Sequence, residues 1–415
     1  MRKVGAKRQA DALGALLAVV AGDAGTRRDM PRLLADLFML TDRQAKLALA
    51  IANGATREEA AGRLGISLHA GKDALRVVFD ACGVGNAADL GRLLAEIHAL
   101  AGLASACDVE VDARLAREPL RLVRRRWADG HVAVSDHGPA DGRAVLYCHA
   151  QMQGRHLPRV TVRALQAAGL RPIAVERAGF GLSDWVEGDF AVTAMRDLID
   201  VLDALEVDAP HVLARGGITP LLRLFAEQPG RIAGGLLLGA GMPLSHDRPR
   251  AGPAGLSKRL VFDHPRFMAP VVRALTDRTS NEDAVRLHRQ IVRGSVADMR
   301  VLDDAELCAD IIRAARQAAI GCEGLLRESI AHVRGVQPQP LKCGAGWRVM
   351  VGACDPMFDA DLTGAYWTGV LPGATVTLVP DGGRWLHASH PELVAAAMRT
   401  LIEQGPKPTA SDCSP

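Results

Sequence analysis

Hydrophobic and polar positions follow two different periods along the chain, and the change falls near residue 120. Before it, apolar residues recur every three or four positions, as at Ala45, Ala48 and Ile51, which is the period of an amphipathic helix. After it, short apolar runs alternate with helix-length segments, which is typical of buried parallel strands joined by helical crossovers. The pattern predicts a multidomain chain, with an all-α N-terminal part and an α/β C-terminal part.

The first part contains a series of helix starts. Gly-containing turns separate the predicted helices, and Leu64-Gly65-Ile66 joins the second to the third in the manner of a helix-turn-helix. A final helix is predicted over 87–99, and residues 1–39 add one or two amphipathic helices. Capping residues mark three of the starts: Thr41 with Gln44, Thr56 and Ser67.

Residues 40–94 carry a longer motif, in which Leu-Thr-x-x-Gln precedes a Gly and then EEAAGRLGIS. This segment resembles a LuxR-type DNA-binding domain, and the resemblance implies that the third helix enters the major groove and the fourth mediates dimerisation. Two residues depart from the family pattern: Gly71 replaces a β-branched residue, and Asp73 adds a negative charge. The DNA-binding residues that the resemblance implies are Ser67, His69, Lys72, Asp73 and Arg76. A bare three-helix packing module is the alternative.

The sequence pattern of the second part predicts strands separated by helices. A hairpin over Leu120–Arg126 and His131–Asp136, with Asp129-Gly130 as its turn, precedes the predicted parallel strands. Helices are predicted at Val160–Ala168 and Val192–Leu205. The parallel strands are Ala144–Cys148, Pro172–Val175, His211–Ala214, Gly235–Leu238, Trp347–Gly352 and Thr375–Val379.

Motifs at the strand ends carry a second resemblance, which spans about 120–403. They are LYCH at 146–149, ERAGFGLSD at 176–184, PGRI at 229–232, VGACDP at 351–356 and GRWLHASHPE at 383–392. In this order they are similar to the α/β-hydrolase fold, and the resemblance implies a helical cap over the pocket in the insertion 243–343. Helical runs there are predicted at Pro265–Leu275, Glu282–Arg293 and Ala305–Ile320.

The resulting domain organisation has five parts. They are an N-terminal helical segment (1–39), a LuxR-type helix-turn-helix domain (40–100), a linker (101–119), an α/β-hydrolase-like domain (120–403) and a flexible tail (404–415).

The predicted triad positions lack two of the three expected groups. In the resembling family a Ser in the turn after the fifth strand attacks the substrate, a His takes its proton and an acid orients the His. Here the alignment places Gly216 at the position of the nucleophile and Arg384 at the position of the His. Gly216 has no side chain, and Arg384 stays protonated, so it cannot accept a proton. Only the acid is retained, as Asp355. The sequence therefore predicts a protein without catalytic activity.

Several other residues are candidates for the missing catalytic groups or for contact with a ligand. His387 and Cys148 are the candidates for rescued catalysis, whereas Thr219, His390 and the Ser183-Asp184 turn are predicted to be structural. Arg384 and Asp355 are predicted to form a buried ion pair, or Arg215 is predicted to face an anionic ligand. The alternative is that the side chains of Arg384 and Arg215 both face solvent. The predicted ligand pocket comprises His149, Ala150, Gln151, Arg215, Gly216, Gly217, Asp355, Arg384 and Trp385.

Together these features predict a transcriptional regulator that binds promoter DNA as a homodimer, with a hydrolase-like domain that senses a small molecule or a protein. Two alternatives remain. One is an esterase-like α/β hydrolase with an N-terminal interaction or DNA-binding module, and the other is a scaffold for dimerisation or protein docking with a collapsed pocket.

Composition and charge add little to the prediction of the protein's class and partners. The net charge is +3, and the excess of positive charge lies within the first 100 residues. The eight Cys include no C-x-x-C pair, which disfavours zinc ribbons and disulfide frameworks and fits a reducing cytoplasm. No apolar run reaches the roughly 20 residues of a membrane helix. We expect a cytoplasmic protein without a metal, a cofactor or a membrane partner.

Overall fold

The computed structural model describes residues 30–94, 118–242, 281–320 and 322–404. The chain divides into two compact units, one of Met1–Ser135 with Leu182–Val186 and one of Asp136–Gly181 with Glu187–Pro415. The predicted linker lies mostly outside the described residues, as do the helix at Pro265–Leu275 and nearly all of the tail.

The first unit contains helices at the predicted places. Thr41 and Thr56 both form capping boxes, and Ser67 accepts a hydrogen bond from the backbone N–H of Ala70 at 3.2 Å. Residues 87–94 are also helical. The labelled elements are α1 (Met30–Phe38), α2 (Asp42–Ala52), α3 (Arg57–Arg63), α4 (Leu68–Cys82) and the antiparallel strands β1 (Arg121–Arg124) and β2 (His131–Asp136).

The apolar faces of these helices form one core, which includes Leu34, Leu47, Val78 and Leu90. Gly71 is buried on the face of α4 that packs against α3. A Cβ at that position would lie 3.3 Å from the Cβ of Ala61, so the close packing of the two helices explains this departure from the LuxR-type pattern.

The second unit is built on six parallel strands in the order β4-β3-β5-β6-β7-β8. Each predicted strand is present, with ends that differ by no more than two residues. The strands are β3 (Arg143–Cys148), β4 (Leu170–Val175), β5 (His211–Ala214), β6 (Gly234–Leu238), β7 (Trp347–Gly352) and β8 (Thr375–Val379).

Helices connect these strands and follow the last one. Residues of the central strands pack against the helical side chains Leu165, Val394 and Met398 in the main core. The helices are α5 (Arg159–Ala167), α6 (Phe190–Ala204), α7 (Ile218–Glu227), α12 (Ala360–Val370), α13 (Leu386–Ser389) and α14 (Pro391–Glu403).

The described part of the predicted cap is helical. Two of its helices, α8 (Asn281–Ile291) and α10 (Ala305–Ile320), match the sequence prediction, whereas α9 (Val296–Asp303) and α11 (Cys322–Val333) were not predicted. Cys343 is disulfide-bonded, so the expectation of reduced cysteines does not hold there. No helix within the described ranges is long and apolar enough to cross a membrane.

Candidate functional site

The turn between β5 and α7 is formed by two glycines. Gly217 caps α7 in the left-handed conformation, with φ 62° and ψ 27°. Gly216 lies against the loop after β3, where a Cβ would come 2.5 Å from the carbonyl oxygen of His149 and 2.9 Å from the Cα of Ala150. The turn therefore has no nucleophile and no room for a side chain at Gly216.

The loop after β3 is held by a buried imidazole. His149 Nδ1 lies 2.8 Å from the carbonyl oxygen of Ala150, and its Nε2 accepts a hydrogen bond from the backbone N–H of Arg177 at 3.3 Å. Burial, with the nearby Arg177 charge, holds the pKa of His149 well below its usual value. This neutral imidazole therefore supports the loop structurally. In the same loop, the Gln151 side-chain amide donates to the Ser329 hydroxyl at 2.9 Å.

A buried ion pair joins the loop after β4 to α11. Arg177 Nε donates to one oxygen of Glu328 and Nη2 to the other at 3.1 Å, while Nη1 donates to the His149 carbonyl at 2.6 Å. The guanidinium also lies over the ring of Phe180. Because its carbons and nitrogens approach Gly217, Arg177 packs against the turn in which a nucleophile was expected.

The predicted pair of Arg384 and Asp355 is present, although it is only partly buried. Arg384 Nη1 lies 3.7 Å from Asp355 Oδ2, and the Arg384 side chain is 24% exposed. The same loop is fixed by Asp298 of α9, which accepts the backbone N–H of Arg384 at 2.7 Å and that of Trp385 at 2.9 Å. The cap and the terminal loop are therefore directly connected.

Arg215 is buried at the end of β5, with 5% of its surface exposed. Its guanidinium donates to Gln153 Oε1 at 2.6 Å and to the carbonyl oxygen of Arg384 at 3.0 Å, and it lies 3.3 Å from His387 Nε2. Burial, and secondly the Arg215 charge, hold the pKa of His387 well below its usual value. His387 is thus a neutral buried imidazole beside a cation.

The remaining side chains considered as substitutes have structural environments. Burial raises the pKa of the Cys148 thiol to about 12, so it carries no thiolate near neutral pH. Ser183 accepts the backbone N–H of Ala133, and Asp184 accepts that of His131. These two residues form a turn, as the sequence predicts.

One arrangement was missed by the sequence analysis. The hydroxyl of Ser389 donates to the carbonyl oxygen of Trp385 at 3.1 Å and lies 2.8 Å from Nδ1 of His390, and His390 Nε2 lies 3.4 Å from Oδ1 of Asp381. Ser389 and His390 are half-buried, whereas the Asp381 side chain is 83% exposed. A hydroxyl, an imidazole and a carboxylate in this order have the connectivity of a nucleophile, a base and an orienting acid.

The strand order, the parallel register and the motif positions give the C-terminal region the α/β-hydrolase fold. By sequence, 108 residues are 34% identical to "Putative carbamate hydrolase RutD" of Variovorax paradoxus, a match over 25% of this chain and 40% of that protein. The chain therefore matches less than half the length of this relative. No family model matches the chain.

Two solved structures are also similar to the chain. A bromoperoxidase from Bacillus anthracis is 19% identical with a TM-score of 0.49, over 68% of this chain and 99% of that one. An α/β-hydrolase fold protein from Nakamurella multipartita is 17% identical with a TM-score of 0.49, over 68% of this chain and 98% of that one.

These findings correct the prediction of a DNA-binding transcriptional regulator without catalytic activity, which is wrong. The matched sequence relative is named as a hydrolase, and the LuxR-type resemblance is supported by the sequence motif alone. The prediction treated the loss of one nucleophile and one base as the loss of all chemistry. It assigned His390 a structural role and did not consider Ser389.

The residues assigned to DNA contact lie together on one helix. His69, Lys72, Asp73 and Arg76 are exposed on α4, and His69 Nε2 lies 3.6 Å from Asp73 Oδ2. The Asp73 carboxylate thus adds negative charge to the surface that was expected to face phosphates. Elsewhere, no group of three or more His, Cys, Asp or Glu among the described residues is placed to hold a metal ion.

Proposed function

We propose that this protein is an α/β-fold hydrolase that cleaves small ester or carbamate substrates, with Ser389 as its nucleophile. The contact between the Ser389 hydroxyl and His390 Nδ1 at 2.8 Å is the observation that carries the proposal. The name of the Variovorax relative supports the substrate class. The absence of a side chain at Gly216 rules out covalent catalysis at that position.

In this mechanism the Ser389 hydroxyl rotates from the Trp385 carbonyl towards His390 Nδ1, which takes its proton as Oγ forms a bond to the substrate acyl carbon. The leaving alcohol or amine then receives that proton as its bond to the acyl carbon breaks. Water, deprotonated by the same nitrogen, cleaves the Ser389 ester and restores both groups. Asp381 faces the other ring nitrogen and favours the tautomer in which Nδ1 accepts.

The surroundings of Ser389 support substrate binding. Helix α14 begins directly after His390 without a side-chain cap. Its first residue, Pro391, has no N–H, so the amides of the first turn that can stabilise an oxyanion are those of Glu392 and Leu393. A groove of about 460 Å³ runs between α14 and α5 from Glu392 to Arg399; it starts two residues after His390, and its lining includes neither Ser389 nor His390. Its walls include Val160, Ala164 and Ala395, which suit a small, mainly apolar acyl group.

Covalent labelling with a fluorophosphonate tests the assignment, together with hydrolysis of p-nitrophenyl acetate by the full chain. We expect the label on Ser389 by peptide mass spectrometry and its loss in S389A. Thr400→Ala is the matched control, because Thr400 also donates its hydroxyl to a carbonyl four residues earlier in α14 but contacts no imidazole. T400A should keep the wild-type rate.

His390→Gln should lower the rate by about 10²-fold or more, as expected for removal of a general base. D381N should have a smaller effect, because solvent screens the exposed Asp381 carboxylate. A wild-type rate in S389A, or a label on another residue, would refute Ser389 as the nucleophile. Absence of hydrolysis across a panel of activated esters and carbamates would refute the hydrolase itself.

The N-terminal unit is included in this proposal as an interaction module. Its α4 presents the exposed side chains of His69, Lys72 and Arg76. Self-association through this unit is tested by light scattering of the full chain and of the variant K72E/R76E. A mass that is the same for both proteins and equal to one chain would count against the module's role in dimerisation.

A further inference from the structure

The buried guanidinium of Arg215 has an unusual set of partners. Its side chain contacts an amide oxygen of Gln153, a backbone carbonyl and the neutral His387 ring. Within the described residues, none of the ion pairs includes Arg215, although it is 5% exposed. A buried cation without a counter-ion destabilises a fold by several kcal/mol. The charge of Asp355 favours the Arg215 cation, but among the described residues no carboxylate lies within ion-pair distance of Arg215.

Buried polar atoms around Arg215 are also missing partners. Arg215 Nε, Tyr147 Oη, Arg384 Nη1 and His387 Nδ1 are buried and have no hydrogen-bond partner within 3.5 Å among the described residues. The Tyr147 hydroxyl and the Arg215 guanidinium interact with each other over a longer distance. Since His387 Nε2 accepts from Arg215, its Nδ1 carries the ring proton and is a donor. Each of the four atoms can therefore donate.

Charge distinguishes an anion from water as the partner of these donors. Water can accept their hydrogen bonds, but it does not offset the Arg215 charge. Asp355 lies 3.7 Å from Arg384, so this one carboxylate faces a second guanidinium already. Arg215 is next to Gly216 and Gly217, which are both half-buried, so the backbone that follows it is partly open to solvent.

We propose that the end of β5 binds a small carboxylate, with Arg215 as its counter-ion and with Tyr147 and His387 as hydrogen-bond donors. A planar carboxylate matches the geometry of a guanidinium, which favours it over a spherical anion. The site involves neither Ser389 nor His390. The carboxylate belongs either to a free organic acid or to a substrate that carries an acid group.

Acetate and its neutral isostere acetamide test this site in the full chain, by thermal unfolding at pH 7 and constant ionic strength. We expect the melting temperature to rise with acetate concentration and to be unchanged by acetamide, because a ligand that binds the folded state stabilises it. R215M should lose this dependence. Arg223→Met, which removes an exposed arginine from the neighbouring helix α7, should keep it.

Tyr147→Phe provides a second measurement if R215M does not fold. It removes the Oη donor and should weaken acetate binding about tenfold by calorimetry. Equal effects of acetate and acetamide, or an unchanged acetate response in R215M or Y147F, would overturn the proposal. A half-ester of a dicarboxylic acid that competes with acetate assigns the site to an acidic substrate, whereas acetate binding without such competition assigns it to a free acid.

Discussion

Gly216 and His149 approach each other so closely that the backbone of one excludes a side chain on the other. A Cβ at residue 216 would lie 2.5 Å from the His149 carbonyl oxygen. That carbonyl is itself held by Arg177 Nη1, which is anchored to Glu328. The backbone around the turn after β5 therefore leaves room only for glycine at residue 216. The surrounding backbone, and not the missing side chain alone, excludes a nucleophile there.

Installing a nucleophile at this turn should consequently fail. We expect G216S, alone or with R384H, to show no labelling of residue 216 by a fluorophosphonate. Overpacking against the loop after β3 should lower the free energy of unfolding by about 1–3 kcal/mol. Urea unfolding and peptide mass spectrometry measure the two effects, with R384H alone as the control. Labelling at residue 216 would show that the loop can move aside.

The Arg177–Glu328 pair should be important for stability. Because the Glu328 side chain is 7% exposed, E328A leaves a buried guanidinium without its partner and should cost roughly 3–5 kcal/mol. The exposed pair of Arg223 and Glu227 is the matched control, and E227A should change the stability by no more than about 0.5 kcal/mol. Similar losses in the two variants would contradict the structural role of Arg177.

Asp298 should make stability depend on pH. Burial raises the pKa of its carboxyl, against the opposing effect of the N–H groups of Arg384 and Trp385. A carboxyl with a raised pKa binds its proton more tightly in the folded state, so its contribution is largest at low pH and declines as pH rises through the folded pKa. The stability of the wild type relative to D298N should therefore fall as pH rises from about 4.

Urea unfolding of both proteins at several pH values between 4 and 7 measures this difference. A difference that stays constant, or that grows with pH, would show that the Asp298 pKa is not raised.

Two glycines in the first unit allow a matched comparison of how a Gly→Ala substitution changes stability. An added Cβ at Gly62 in α3 meets nothing within 4 Å, whereas at Gly71 in α4 it meets Ala61 at 3.3 Å. Alanine favours a helix over glycine by up to about 1 kcal/mol. We expect G62A to raise the free energy of unfolding by that amount and G71A to raise it less or lower it. An equal gain in both would contradict the close packing of α3 and α4.

The sequence was most informative where local patterns determine structure. Buried parallel strands such as His211–Ala214 are continuous apolar runs, and their ends were predicted to within two residues. Thr41 and Thr56 likewise mark helix starts through contacts only three residues apart. Local chemistry of this kind can be read without knowing the tertiary fold.

Contacts between distant residues were not predictable in the same way. Arg177 and Glu328 are 151 positions apart, and α11, which carries Glu328, was not predicted. Ser389 and His390 are adjacent in sequence, yet adjacency alone does not place a hydroxyl on a ring nitrogen or bring Asp381 to the other side. Those geometries depend on the short helix α13 and the start of α14.

The absence of a side chain at Gly383 has a mechanical consequence. A Cβ there would collide with the side chains of Asp298 and Ser295. The backbone of the loop that carries Arg384 therefore packs directly against these two side chains at the start of α9, and the two segments interlock. Since Asp298 also holds two amides of that loop, displacement of α9 would pull Arg384 away from Asp355. Any hinge in this part of the chain must lie outside the interlocked segments and move them as a single block.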